Sequence, residues 1–355
     1  MRPLTPPRDL TIPEPGSTTA RVVLSHAIGR LLRELGPLLR EHAASAPEDV
    51  VAVEAALSRL PEVAPLFSVL RRPHVGGLVR ALRATRPGEG GPILVELLAT
   101  LVGDLAHLDV IAPVPLRLRP PRVVSPVTGG DGYHVVEGGI LFTLADNNPL
   151  AMHEAHPDKE GNAVDLGGHA IGEWLSSLRA ALALVATHLP ELRAEMSLYV
   201  QQIVPVGFFA DKHLSASYRE AIGTMYLSLH PSPMTMVEAV IHEFQHNKLN
   251  ALFESDDVLE NAHEPLYASP VRPDPRPLHG VLLAVHAFLP VARLYECMIA
   301  AGVTGLDARY REILRINREG SEVLLANARP TAVGKGVLDE MRRWDRHYGG
   351  PASPR

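Results

Sequence analysis

The chain has 355 residues, 46% of them hydrophobic, and a formal charge of −6. That is long enough for one large or two ordinary domains with a sizeable core, and the scatter of Arg among Asp and Glu gives no basic stripe for binding a phosphate backbone. Nucleic acid is therefore excluded as a partner. Cys297 is the single cysteine, which excludes an internal disulfide or a multi-cysteine metal site and suits a reducing cytoplasm; in the run "VARLYECMIA" it reads as a buried, inert thiol.

In chain order, residues 1–19 are proline-rich and charged, with no apolar core of the kind a signal peptide needs. They are expected to form a flexible leader. Over 20–108 apolar residues recur at helical spacing, as in "VVLSHAIGRLLRELGPLLREH" and "GGPILVELLATLVGDLAHL", which predicts a helical N-terminal region. The stretch 109–145 turns β-branched and partly alternating, in "VIAPVPLRLRPPRVVSP" and "YHVVEGGILFTLAD", and predicts a strand pair. The polar "NNPLAMHEAHPDKEGNAVDLGG" is expected to be a loop, its "DKEGN" a surface turn lacking the ligand alternation of a calcium loop.

Next, "AIGEWLSSLRAALALVATHLPELRAEM" predicts one amphipathic helix, and "SLYVQQIVPVGFF" and "IGTMYLSLH" predict strands. Helices follow at about 233–254, 277–302 and 307–328. The expected class is mainly α (α+β): a helical N-terminal half, a small central sheet, and a helical metal-binding core over 109–330, closed by a C-terminal helix and tail over 331–355. The longest uncharged stretches are interrupted by Pro or His and fall short of the roughly 20 apolar residues of a membrane span, so a cytoplasmic protein with no membrane association is expected.

The chemistry concentrates in "MVEAVIHEFQHNKLNALFE", which sets His242, Glu243 and His246 in the pattern H-E-x-x-H. Ser232 before Pro233 signals a helix start, and Thr235 with Glu238 suggests a capping box. Residues four apart on a helix differ by about 40° around the axis and roughly 6 Å along it, so His242 and His246 present their rings side by side as two ligands of one metal. In a zinc peptidase Glu243 would be the general base beside the metal-bound water. The metzincin continuation is absent, and Glu264 in "ENAHEPLYASP" is the carboxylate that a thermolysin-like Zn(II) site would need. His286, inside the apolar "LLAVHAF", is the expected third ligand, with His279 at the entrance of the same helix as the alternative. Three such ligands with positions left open suit Fe(II). Arg272 and Arg276 are forks that could hold a carboxylate such as that of 2-oxoglutarate, or could pair with Asp274 on the surface.

The stretch "HLSASYREAIGTMYLSLHPSPMTMVEAVIHEFQHNKLNALF", followed by "LYASPVRPDPRPLHGVLLAVHAFLPVA", resembles a family of H-E-x-x-H proteins encoded beside ribosomally made, post-translationally modified peptides. That family comprises 2-oxoglutarate- and iron-dependent peptide β-hydroxylases, found alone or fused to radical-SAM peptide maturases. The likeness spans roughly residues 190 to 300, and more loosely "LADNNPLAMHEAHPDKEGNAVDLGG". It implies a dioxygenase acting on a precursor peptide, possible traffic with a radical-SAM maturase, iron on His242 and His246, and Glu243 as an orienting residue; it does not fix the third ligand. A zinc metallopeptidase using Glu243, or a non-catalytic metal-stabilised partner of a maturation enzyme, are the other two readings.

Overall fold

The computed structural model describes residues 4–120, 132–146, 148, 164–271 and 274–349. Helices account for 59% of it and the larger sheet for five short strands, so the class is mainly α (α+β), as the sequence predicts. Two compact units divide the chain, one of Met1–His26, Gly172–Tyr199 and His230–Arg355, the other of Ala27–Ile171 and Val200–Leu229. The expected boundary near residue 108 falls inside the second unit, because the strands after residue 200 pair with those before 145.

That second unit holds most of α1 (Thr19–Glu41), then α2 (Pro47–Leu57), α3 (Ala64–Arg71), α4 (Pro73–Ala84) and α5 (Gly91–His107). Pro47, Pro73 and Pro92 sit in first turns, where the missing N–H costs nothing. Its sheet runs β1 (Tyr133–Glu137), β2 (Ile140–Thr143), β3 (Gln202–Phe208), β5 (Thr224–Leu229), β4 (Ser215–Ala216). β2, β3 and β5 are mutually parallel and the edge pairs antiparallel. β5 is buried along its whole length, which is why "TMYLSL" lacks the strict apolar–polar alternation of a half-exposed strand. The expected strand pair is β1–β2, confined to "YHVVEGGILFT"; the proline-rich 109–120 contains no strand.

The first unit is helical, with α6 (Ile171–His188), α7 (Pro190–Tyr199), α8 (Pro233–Phe253), the short hairpin β6 (Leu266–Tyr267) and β7 (Arg276–Pro277), α9 (Leu278–Ala300), α10 (Asp307–Asn327) and α11 (Ala332–Gly349). The single helix expected over 170–196 is two, since Pro190 can start a helix but cannot donate within one. α9 packs against α8 and α10, and α11 against α10. α9 is apolar nearly all round, and it alone among the described residues is long and apolar enough to cross a membrane, contrary to expectation; 72% of its apolar window is buried within the protein, the pattern of a core helix.

The leader also departs from expectation. Pro7 and Asp9 to Pro13 are buried, with Leu10 fully so. Glu340 on α11 accepts the N–H of Thr11 at 3.0 and 2.9 Å and of Ile12 at 2.9 Å, and Gln245 donates to the Thr11 carbonyl at 3.0 Å. Gly336 is required beneath this segment, since a Cβ there would lie 2.3 Å from the Pro7 carbonyl oxygen. A segment outside any helix or sheet thus has backbone groups satisfied by side chains 234 and more residues away.

Glu340 makes this clamp pH-sensitive. Burial pushes its carboxyl up to about 7, against the pull of the two backbone N–H groups and of Lys248 and Arg343. A folded pKa above the unfolded one means the contribution is intact below about 4.5 and lost as pH rises through about 7. Glu340→Gln keeps an acceptor oxygen and removes the titration. Urea unfolding across that window should show the variant overtaking the parent by about 3 kcal/mol on the alkaline side; parallel curves would mean the carboxyl does not titrate there.

Candidate metal centre

α8 starts as predicted: Ser232 is the N-cap and its Oγ accepts the Thr235 N–H at 3.3 Å, with Pro233 in the first turn. The capping box does not form. Glu238 instead binds the Tyr295 hydroxyl at 2.6 Å and the Arg309 guanidinium at 2.6 to 3.2 Å, fastening α8 to α9 and α10. The helix that carries H-E-x-x-H is therefore fixed at its N-terminal end before any metal is considered.

One turn on from Glu238, His242, Glu243 and His246 place one donor atom each within 4.8 Å of the others. Donors about 2.0–2.2 Å from a common metal can be at most roughly 4.4 Å apart, so small side-chain rotations close the set. The two rings stand 4.4 Å apart at 83°, and Phe288 of α9 packs edge-on against His242 at 5.0 Å. Asn247 donates to the Glu243 carbonyl within α8 at 3.0 Å. Glu243 is 2% exposed, a costly place for a carboxyl.

His286 is not one of the three clustered donors, yet it belongs to their surroundings. It is fully buried on α9, neither ring nitrogen has a hydrogen-bond partner among the described residues, and its pKa is lowered well below the usual histidine range by burial, then by Lys248 and His246. It lies on α9, the helix that packs against α8. His246 is pulled down to about 4 by burial and by His279. Both rings are therefore neutral above that range, the form in which imidazole binds a metal. Protons compete for His246 only as pH falls toward about 4, so its coordinating capacity holds through neutral and mildly acidic pH.

The remaining candidates divide. His279 donates its backbone N–H to Ala262 at 2.8 Å, and its ring lies between Phe253 at 4.8 Å and His263 at 5.6 Å. Glu264 is exposed in the loop before β6 and is not in the cluster, which removes the carboxylate ligand expected for a thermolysin-like site. Arg276 on β7 pairs with Asp274 at 2.9 Å, with side chains 40% and 55% exposed. Arg272, and most of the polar loop "NNPLAMHEAHPDKEGNAVDLGG" with its "DKEGN" turn, lie outside the described residues. Cys297 is half-buried and burial raises its thiol pKa, as an inert thiol requires.

No family model matches the chain, and no curated protein does.

Sequence reasoning missed the polar layer around the histidines. Lys248, fully buried on α8, pairs with Glu195 of α7 at 2.6 Å and stands 5.3 Å over the Phe244 ring. Its charge reaches Asp9, Glu195, Glu340 and His286. The signal was present in "HNKLNALF", where a lysine falls inside an otherwise buried helical run.

Proposed function

We propose that the protein is an Fe(II)- and 2-oxoglutarate-dependent oxygenase that hydroxylates side-chain β-carbons of a ribosomally made peptide. The observation that carries a metal here is His286, a fully buried imidazole with two nitrogens unpartnered among the described residues, on the helix that packs against α8. Native proteins rarely leave such a group unsatisfied, and a metal is the partner that hydrogen-bond bookkeeping omits. His242, His246 and His286 would hold the ion through neutral nitrogens, leaving positions open for co-substrate and O2. Bound Fe(II), with 2-oxoglutarate and O2, supplies the oxidising chemistry, one oxygen atom entering the peptide as hydroxyl and the other the succinate formed with CO2.

The chain's own contributions are binding and orientation. Phe288 fixes the ring plane of His242, and the Glu238–Tyr295–Arg309 cluster holds α8 in register with α9. Glu243, among the donors but nearly closed off from solvent, would orient a bound group or the metal's water. Arg276, which pairs with Asp274, and Arg272 would be the forks for the co-substrate carboxylate. The zinc peptidase keeps one supporting observation, the Glu243 carboxylate within 4.8 Å of both histidines; among the described residues no second carboxylate joins that cluster.

Anaerobic loading with Fe(II) followed by 2-oxoglutarate should give the visible charge-transfer band of an iron-chelated 2-oxo acid, absent in His242→Ala and His286→Ala. A band that survives His286→Ala moves the third-ligand role to His279. No band together with tight zinc retention sinks the oxygenase, and peptide cleavage abolished by Glu243→Gln would put the peptidase in its place.

A further inference from the structure

The sheet-bearing unit contains a second built site that the metal chemistry does not use. A cavity of about 200 Å³ is lined by Arg72, Pro73 and His74 at the start of α4, Gly139 and Leu141 at the β1–β2 turn and strand β2, and Gln201 and Gln202 at the start of β3. Beneath it, Asp104 of α5 is fully buried, hydrogen-bonded to His74 Nε2 at 2.8 Å and ion-paired with Arg72 Nη1 at 2.8 Å, a nitrogen that makes no hydrogen bond among the described residues. His74 and Gln202 are each 2% exposed. Yet His74 Nδ1 and Gln202 Nε2 have no hydrogen-bond partner among the described residues. Gln201 is already committed, donating to the Arg71 carbonyl at 2.9 Å.

The unmet groups define a ligand. A carboxylate only accepts, so the Asp104 contact places a proton on His74 Nε2, and in the neutral ring Nδ1 is left as an acceptor. Gln202 Nε2 is a donor and nothing else. The charge of Arg72 is offset by its ion pair with Asp104, so an anion entering here would face a buried carboxylate. What fits is uncharged and carries one N–H beside one C=O. The geometry points to a binding site for an amide, either a peptide bond or a side-chain carboxamide, held between His74 and Gln202 with Asp104 and Arg72 fixing the imidazole. This site stands independently of the metal-centre reading.

The test uses the full chain with ¹³C,¹⁵N-labelled histidine, following the His74 ring resonances by NMR. N-methylacetamide is titrated as the peptide-bond probe, acetamide as the carboxamide probe, and acetate and inorganic phosphate as anion controls. A saturable shift of His74 with an amide is expected, and the tighter of the two amides names the source. Gln202→Leu should weaken that binding about tenfold or more. Should that variant misfold, Leu141→Trp fills the cavity without touching a polar group and should abolish the shift. Shifts produced by the anions and not the amides, an amide shift that persists in the folded variants, or no shift with any probe would each overturn the proposal. Metal loading of α8, read separately, is expected to be unchanged in both variants.

Discussion

Replacing His286 by Leu is expected to destroy metal binding and, in the same molecule, to make the metal-free protein more stable by about 1–3 kcal/mol. The two effects share one cause. His286 is fully buried on an apolar helix, with Val285, Ala287, Leu282 and Leu289 around it in sequence and all of them buried, and neither ring nitrogen is paired among the described residues. Without a metal the protein has desolvated two polar atoms for nothing. Leucine is close in volume, carries no polar atom and favours the helix.

The comparison belongs above pH 6.5. There the unfolded histidine is neutral, so the depressed folded pKa adds no proton-linked difference, and the gain reads the unpaired nitrogens alone. Chemical unfolding of the metal-free pair gives the stability change, and Fe(II) or Co(II) titration gives the loss of binding. If instead the variant is destabilised while it binds metal as tightly as the parent, His286 is a core residue and the third ligand must be sought at His279.

How far the sequence could be read depended on how local each decision was. The three long helices after residue 232 were predicted almost to the residue, since their apolar periodicity, Ser232–Pro233 start and Gly302 stop are all encoded within the segment itself. H-E-x-x-H was legible for the same reason, its two histidines being brought together by helical pitch alone. What escaped was settled at a distance. Glu238 looked like half of a capping box because Thr235 stood three residues before it, whereas its partners are Tyr295 and Arg309, 57 and 71 residues on. The leader looked flexible because its stabilising acceptor, Glu340, lies 329 residues away from Thr11. Burial, too, is a property of the packed molecule: Lys248 and Arg276 are similar as sequence signals, but one is sealed beside Glu195 and the other pairs with Asp274 in solvent.

Lys248 is where that hidden layer can be measured. Lys248→Met is expected to cost about 3–5 kcal/mol, the penalty for stranding one member of a buried ion pair. Its partner Glu195 keeps only 7% side-chain exposure, burial already raises the Glu195 pKa, and Lys248 is the main influence holding it down, with Asp9 pushing it up again. Without the ammonium the folded carboxyl moves further above its unfolded value. Stability so perturbed is retained below the unfolded pKa and lost as pH rises, so the cost of the substitution should grow with pH from about 4.5 upward. Adding Glu195→Leu removes the stranded charge, and the double variant should recover most of the loss or exceed the parent, as buried pairs replaced by well-packed apolar residues often do. Urea unfolding of the parent, Lys248→Met, Glu195→Leu and the double variant at two pH values decides it. A small, pH-independent cost for Lys248→Met, with no recovery in the double variant, would show that Glu195 finds water or another donor once the lysine is gone. The anchoring of α7 to the metal-bearing helix would then rest on contacts such as Tyr199 against Phe244, whose rings meet edge-on at 5.9 Å.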